Sequence, residues 1–153
     1  MTCTGLVGMP DEESRPKGTL LAFDFGHRRI GIAVGQTVTG SASALAVVSV
    51  ANQPDWQAIT LIIGEWKPVA IVLGLPLASD GGETDMSKDA RRFGRQLEGR
   101  YGIPVLYEDE RLTSFSAEQR FVESRGQGIM RRKDAALKDA MAAQLILESW
   151  LQS

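Results

Sequence analysis

The chain has 153 residues, enough to bury one sizeable core and too few for a second of ordinary size. Its 43% apolar and 24% charged residues are those of a globular protein, and its longest apolar runs have the length of strands, which excludes a membrane-spanning helix. A formal net charge of -2 excludes coating nucleic acid by bulk charge but leaves local basic patches open.

The first eighteen residues lack the basic start, apolar stretch and cleavage site of a secretory signal. Pro10, Asp11, Glu12, Glu13 and Pro16 oppose regular structure there, so a flexible tail over 1–17 is expected ahead of one domain over 18–153. The single cysteine, Cys3, falls in that tail. Neither an intrachain disulfide nor a thiolate zinc site can form, and a reducing cytoplasm is the expected compartment.

Thr19 to Phe25 is an apolar run of β-formers and predicts a buried strand, with a turn at Gly26-His27-Arg28. Arg29 to Gly35 and Ala42 to Val50 read as two further strands of an antiparallel meander. Pro54-Asp55-Trp56 opens a helix to about Trp66, where Pro68 stops it. Val69 to Leu73 is a fourth, wholly apolar strand, and Gly74-Leu75-Pro76 to Gly82 reads as loop. Thr84 caps the next helix, whose Met86, Ala90, Phe93 and Leu97 share one face while Lys88, Arg91, Arg92 and Arg95 share another. Gly99 and Gly102 end it. Ile103 to Tyr107 is the fifth strand, delivering Glu108-Asp109-Glu110 at its carboxyl end. A helix over Ser114–Glu123, a basic loop over Ser124–Lys133 and a last helix over Asp134–Leu151 complete the order. The pattern is α/β: a five-stranded mixed sheet, three antiparallel strands and then two parallel ones, flanked by helices. Right-handed crossovers make strands one, four and five parallel, and sites in such sheets lie at the carboxyl ends of those strands.

Three carboxylates fall at that end. Asp24 is an acid inside an apolar strand, costly to bury as an ion unless it pairs with Arg28, Arg29 or a cation. Glu108, Asp109 and Glu110 repel one another, and either a cation or Arg111 would relieve them. By strand alternation Glu108 and Glu110 share a side, and where the strand ends decides which of them enters the site. Asp139 lies within about 60° of Ala135, Ala136, Ala142, Ala143 and Ile146 on a helical wheel, so a carboxylate occupies a small-residue face able to approach a sheet closely. Asp24, an acid of the Glu108–Glu110 run and Asp139 together are the oxygen donors that Mg²⁺ or Mn²⁺ requires, with positions left for water and phosphate. Two such ions about 4 Å apart can activate water against a phosphodiester. Arg28, Arg29, Lys88, Arg91, Arg92, Arg95, Arg111, Arg131 and Arg132 are candidate contacts to a nucleic-acid backbone. His27 reads as an exposed turn residue, and Trp56, Trp66 and Trp150 as core.

Four segments together resemble the YqgF (RuvX) family over nearly all of Gly18 to Leu151. They are Leu21-Ala-Phe-Asp-Phe-Gly-His-Arg-Arg-Ile-Gly-Ile-Ala-Val-Gly35, Val72-Leu-Gly-Leu-Pro76 with Asp80-Gly81, Asp109-Glu-Arg-Leu-Thr113, and Asp139 with Ala142-Ala143 and Ile146-Leu147-Glu148. The resemblance implies an RNase H-like fold of the resolvase type. It also implies a metal-dependent nuclease that matures the 5′ end of pre-16S ribosomal RNA; a Holliday junction resolvase acting on branched DNA and a non-catalytic RNA-binding ribosome-maturation module stand as alternatives. It places the family's acidic triad on Asp24, Glu110 and Asp139 and sets the Gly-Leu-Pro loop beside them, able to offer backbone amides to phosphate. Resolvases of this type cut as dimers, so a homodimer is an assembly the resemblance allows. Two features depart from the family pattern: the longer leader over 1–17 and the Leu137-Lys138 order before Asp139.

Overall fold

A computed structural model describes residues 16–110 and 132–152. Five strands, β1 (Thr19–Asp24), β2 (Arg29–Gln36), β3 (Ser41–Ser49), β4 (Ala70–Leu75) and β5 (Val105–Asp109), form one sheet in the order β3-β2-β1-β4-β5. β1 to β3 pair antiparallel, and β1, β4 and β5 run parallel, with β1 in the centre and β5 at the edge. Helices α1 (Trp56–Trp66), α2 (Asp85–Tyr101) and α3 (Arg132–Gln152) cover the two faces. The expected mixed sheet is the one observed. Among the described residues no helix is long and apolar enough to cross a membrane.

Alternation along β1 divides the core in two. Leu21 and Phe23 point to one side, where they join Ile32 and Leu73 from neighbouring strands, Ile59 and Ile63 of α1, and Phe93 and Leu97 of α2. Leu20 and Ala22 point to the other side, where Ala33, Ala70 and Val72 meet Ala143, Ile146 and Leu147 of α3. The first face is built from large side chains. The second includes four alanines, Ala22, Ala33, Ala70 and Ala143, with Gly31 and Gly35 beside Ala33 on β2, so α3 approaches the sheet backbone more closely there than a face of leucines would allow. At Gly31 of β2 a Cβ would overlap the carbonyl oxygen of Asp139, and at Gly35 it would stand 2.8 Å from Leu147 Cδ2.

Several boundaries differ from expectation. β4 runs on through Gly74 and Leu75, and β5 begins two residues later than expected and includes Glu108 and Asp109, because Gly74 pairs with Glu108 and Leu75 with Asp109. The acids therefore lie within the parallel ladder, where backbone pairing outweighs a composition that reads as loop. Pro104 cannot donate to a ladder, and the strand starts after it. α3 begins at Arg132, so Arg132 and Lys133 are helical and do not belong to a loop. The expected Ser114–Glu123 helix, the loop up to Arg131 and nearly all of the expected tail lie outside the described residues.

Local chemistry fixes the helix ends. The Asp55 side chain accepts a hydrogen bond from the Ala58 amide at the start of α1. Thr84 and Ser87 form a reciprocal capping box on α2. At the far end of α1, Lys67 occupies the left-handed region at φ 47° before Pro68. Trp56, Trp66 and Trp150 are partly buried against the two cores, in keeping with their reading as core residues.

Candidate metal and catalytic site

Asp24 is the last residue of β1 and, by alternation, faces α3. Its antiparallel partner is Gly31, the residue on which the backbone of α3 rests at Asp139. On the other side of β1, Gly74 of β4 leaves open a space that Glu110 enters. A Cβ at Gly74 would stand 2.8 Å from Glu110 Cγ and 2.9 Å from its Oε1. Two glycines inside strands, ordinarily unfavourable there, thus make room for two acids.

The electrostatics follow from this crowding. Burial, a hydrogen bond with the Glu110 side chain, and the charges of Glu110 and then Asp139 hold the Asp24 carboxyl well above the usual carboxylate range. Two carboxyls can share a hydrogen bond only by keeping a proton between them. Asp139 belongs to the same field but is also anchored: Arg29 Nε donates to its Oδ2 at 2.6 Å. The candidate triad is therefore a proton-sharing pair, Asp24 and Glu110, with Asp139 alongside in an ion pair. Among the described residues, no group of three acids, histidines or cysteines is arranged to hold a metal ion as it stands.

The donor set nonetheless fits a hard divalent cation. All three side chains offer carboxylate oxygens, and a cation would do for Asp24 and Glu110 what their shared proton does now. Glu108, the alternative to Glu110, is engaged elsewhere, accepting a hydrogen bond from Ser149 Oγ of α3. Ser149 lies ten residues beyond Asp139, roughly 15 Å along the helix. The strand end thus separates the two glutamates: Glu110 meets Asp24 and Glu108 braces α3.

The candidate nucleic-acid contacts fall into groups. Arg28, Lys88, Arg92 and Arg95 are exposed and, among the described residues, form no ion pair. Arg29 is turned to Asp139 instead. Arg91 is bonded to Glu83 at 2.6 Å and lies 5.4 Å from the Tyr107 ring centre. Arg111 and Arg131 lie outside the described residues, and Arg132 opens α3. His27 is exposed, as expected of a turn residue, and its Nε2 meets Asp89 Oδ2 at 2.8 Å. In the loop after β4 four amides are already bonded. Leu77 N–H bonds Leu75 O, Ala78 N–H bonds Gly82 O and Gly81 N–H bonds Ala78 O, while Gly82 N–H bonds the Asp80 side chain.

Sequence reasoning missed the Arg29–Asp139 pair and the roles of Gly31 and Gly74. The available signal was glycine inside strands whose other residues are large or β-branched, which marks a close approach of backbone or side chain.

A family model described as "RuvX: Holliday junction resolvase" matches residues 18–153. A protein of Xanthomonas euvesicatoria pv. vesicatoria named "Putative pre-16S rRNA nuclease" is 49% identical over 138 residues, 90% of this chain and 89% of that protein. A Pseudomonas aeruginosa protein of the same name is 47% identical over 90% of this chain and 94% of its own length. Among solved structures, T. thermophilus RuvC in complex with a Holliday junction substrate superposes with a TM-score of 0.53 at 16% identity, covering 88% of this chain and 93% of that one. The fowlpox virus Holliday junction resolvase gives 0.50 at 12% identity, covering 88% and 98%. These last two show the shared RNase H-like fold. On the match across residues 18–153 and the close relatives, this chain belongs to the RuvX (YqgF) family.

Proposed function

We propose that this chain is a metal-dependent phosphodiester hydrolase that processes the 5′ end of pre-16S ribosomal RNA in the cytoplasm. The observation that carries the reading is the carboxyl pair of Asp24 and Glu110, crowded by Asp139 at the carboxyl ends of parallel strands. Acids converging at the carboxyl ends of parallel strands are the arrangement a catalytic cation requires. The names of the relatives, at nearly half identity over nine-tenths of the chain, support the nuclease class and the RNA substrate.

Mg²⁺ or Mn²⁺, bound there, supplies charge neutralisation for the phosphodiester and activation of water. The protein's own residues do the rest. Asp24 and Glu110 would hold the ion through their carboxylate oxygens. Arg29 positions Asp139 beside the pair through the Nε–Oδ2 hydrogen bond. Gly31 lets the α3 backbone rest on β2 at Asp139, and Gly74 makes room for the Glu110 side chain. The exposed Arg28, Lys88, Arg92 and Arg95 meet backbone phosphates and fix the register of the strand without reading its sequence.

A second reading, cleavage of four-way DNA junctions by a homodimer, is favoured by the description of the family model. One experiment separates the two: purified protein with Mn²⁺ or Mg²⁺ is given precursor 16S RNA and a four-way DNA junction side by side, with Asp24→Asn as control. Metal-dependent cutting of the RNA near the mature 5′ end, lost in Asp24→Asn, is the expected result. Cutting of the junction alone moves the assignment to resolvase. Equal cleavage by wild type and Asp24→Asn, or none by either, removes the proposed reaction.

A further inference from the structure

Where Asp24 faces α3, the next residue, Phe25, faces α2 and the opposite side of the sheet. There it borders a cleft of about 500 Å³, within the ~300–1,000 Å³ typical of small-ligand sites. The floor is aromatic. Phe25 is partly exposed and packs on the buried Phe93, with ring centres 5.1 Å apart and planes inclined by 34°. The walls are polar: Asn52 and Gln53 from the loop before α1, and Arg92 and Gln96 from α2.

Among the described residues, these four side chains have no hydrogen-bond or ion-pair partner. The loop that carries the two amides is nevertheless fixed. Val50 N–H bonds Arg28 O at 2.8 Å, Ala51 N–H bonds Gln53 O at 3.1 Å, and Asp55 N–H bonds Ser49 O at 3.0 Å. The first of these bonds ties the wall of the cleft to the turn that follows Asp24. The cleft's one carboxylate, Asp89, is already matched to His27, so the uncommitted charge in the cleft is the Arg92 guanidinium.

We infer that this cleft takes a single unpaired nucleotide of the substrate strand, adjacent to the phosphodiester held at Asp24. The chemistry of the walls selects that occupant. An aromatic floor receives the face of a base, carboxamides match the donor and acceptor edges that pairing would otherwise occupy, and one guanidinium meets the phosphate. A paired base has neither its face nor its edge free, so the cleft confers preference for a strand with an unpaired position beside the cut.

The inference rests on the proposed nuclease reading but is tested without cleavage. Labelled RNA hairpins, one fully paired and one with a single bulged nucleotide, are titrated with the protein in EDTA and followed by fluorescence anisotropy. The variant is Asn52→Ala/Gln96→Ala; both positions lie outside the packed core. Wild type is expected to prefer the bulged hairpin by about tenfold, and the double variant to lose that preference while its affinity for the paired hairpin changes less than about twofold. A variant that keeps the preference, a wild type that shows none, or displacement of the bulged hairpin by free AMP at equal concentration overturns the subsite. A protein that discriminates as expected but cuts nothing overturns the nuclease reading and leaves the subsite standing.

Discussion

Replacing Asp24 with asparagine tests the electrostatic account of the site without reference to any substrate. Burial and the neighbouring carboxyls raise the Asp24 pKa in the folded protein above its ordinary 3.8. Between those two values the folded state therefore holds more proton than the unfolded chain, and stability falls as pH rises through that window. The cost is absent below about pH 4 and complete once the pH exceeds the raised value. Asparagine keeps the size of the side chain, can donate to Glu110, and does not titrate. Unit charges 4 Å apart repel by on the order of 4 kcal/mol at an effective dielectric of 20. Relaxation and solvent screening reduce this, so the expected gain for Asp24→Asn at pH 8 is about 1–2 kcal/mol, in the usual range for relieving a functional site. For a chain of this size that raises the melting temperature by roughly 3–8 °C. Divalent cation should close most of the gap: at ten times its dissociation constant Mg²⁺ or Mn²⁺ stabilises the wild type by about 1.4 kcal/mol and leaves the variant nearly unchanged. Thermal melts at pH 4 and pH 8, in EDTA and in metal, measure all four quantities. An Asp24→Asn protein less stable than wild type at pH 8 in EDTA, or one that metal stabilises equally, refutes the crowded-carboxyl account.

Two further substitutions probe the scaffold. Gly31→Ala sets a methyl group into the Asp139 carbonyl, and overpacking of this kind should cost about 1–3 kcal/mol, read by urea denaturation; an unchanged midpoint would mean that α3 does not rest on β2 at that point. Lys67→Gly relieves a non-glycine left-handed residue at the exposed end of α1 and should stabilise by about 0.5–1 kcal/mol, seen as a small rise in melting temperature. A fall there would contradict the assigned backbone.

The topology was legible because each strand is bounded by turn chemistry and each helix by a cap that acts locally: Asp55 on Ala58, and Thr84 with Ser87. Asp24 was legible for the opposite reason, as a violation of an apolar pattern. The extent of β4 and β5 was not, since Gly74 and the run of acids carry loop composition and only the parallel ladder keeps them in the sheet. The choice between Glu108 and Glu110 turned on the same strand end and on Ser149 of α3, 41 residues further on. The Arg29–Asp139 pair spans 110 residues, a separation at which no local pattern operates. What remained hidden was thus long-range pairing, and the glycines were its one visible trace.

The two sides of the sheet explain why the site sits where it does. Closing a helix onto a sheet with alanines and glycines brings the α3 backbone down to β2, and that descent sets the Asp139 carboxylate near the end of β1. A face of large aliphatic residues would pack as well but would hold the helix too far away for its carboxylate to crowd Asp24. The opposite face carries the large side chains, among them Phe23, Ile32, Leu73 and Phe93. Stability concentrated on one face lets the other tolerate three neighbouring acids, and β1, buried between both, holds Asp24 in a position that a loop could not maintain against their repulsion.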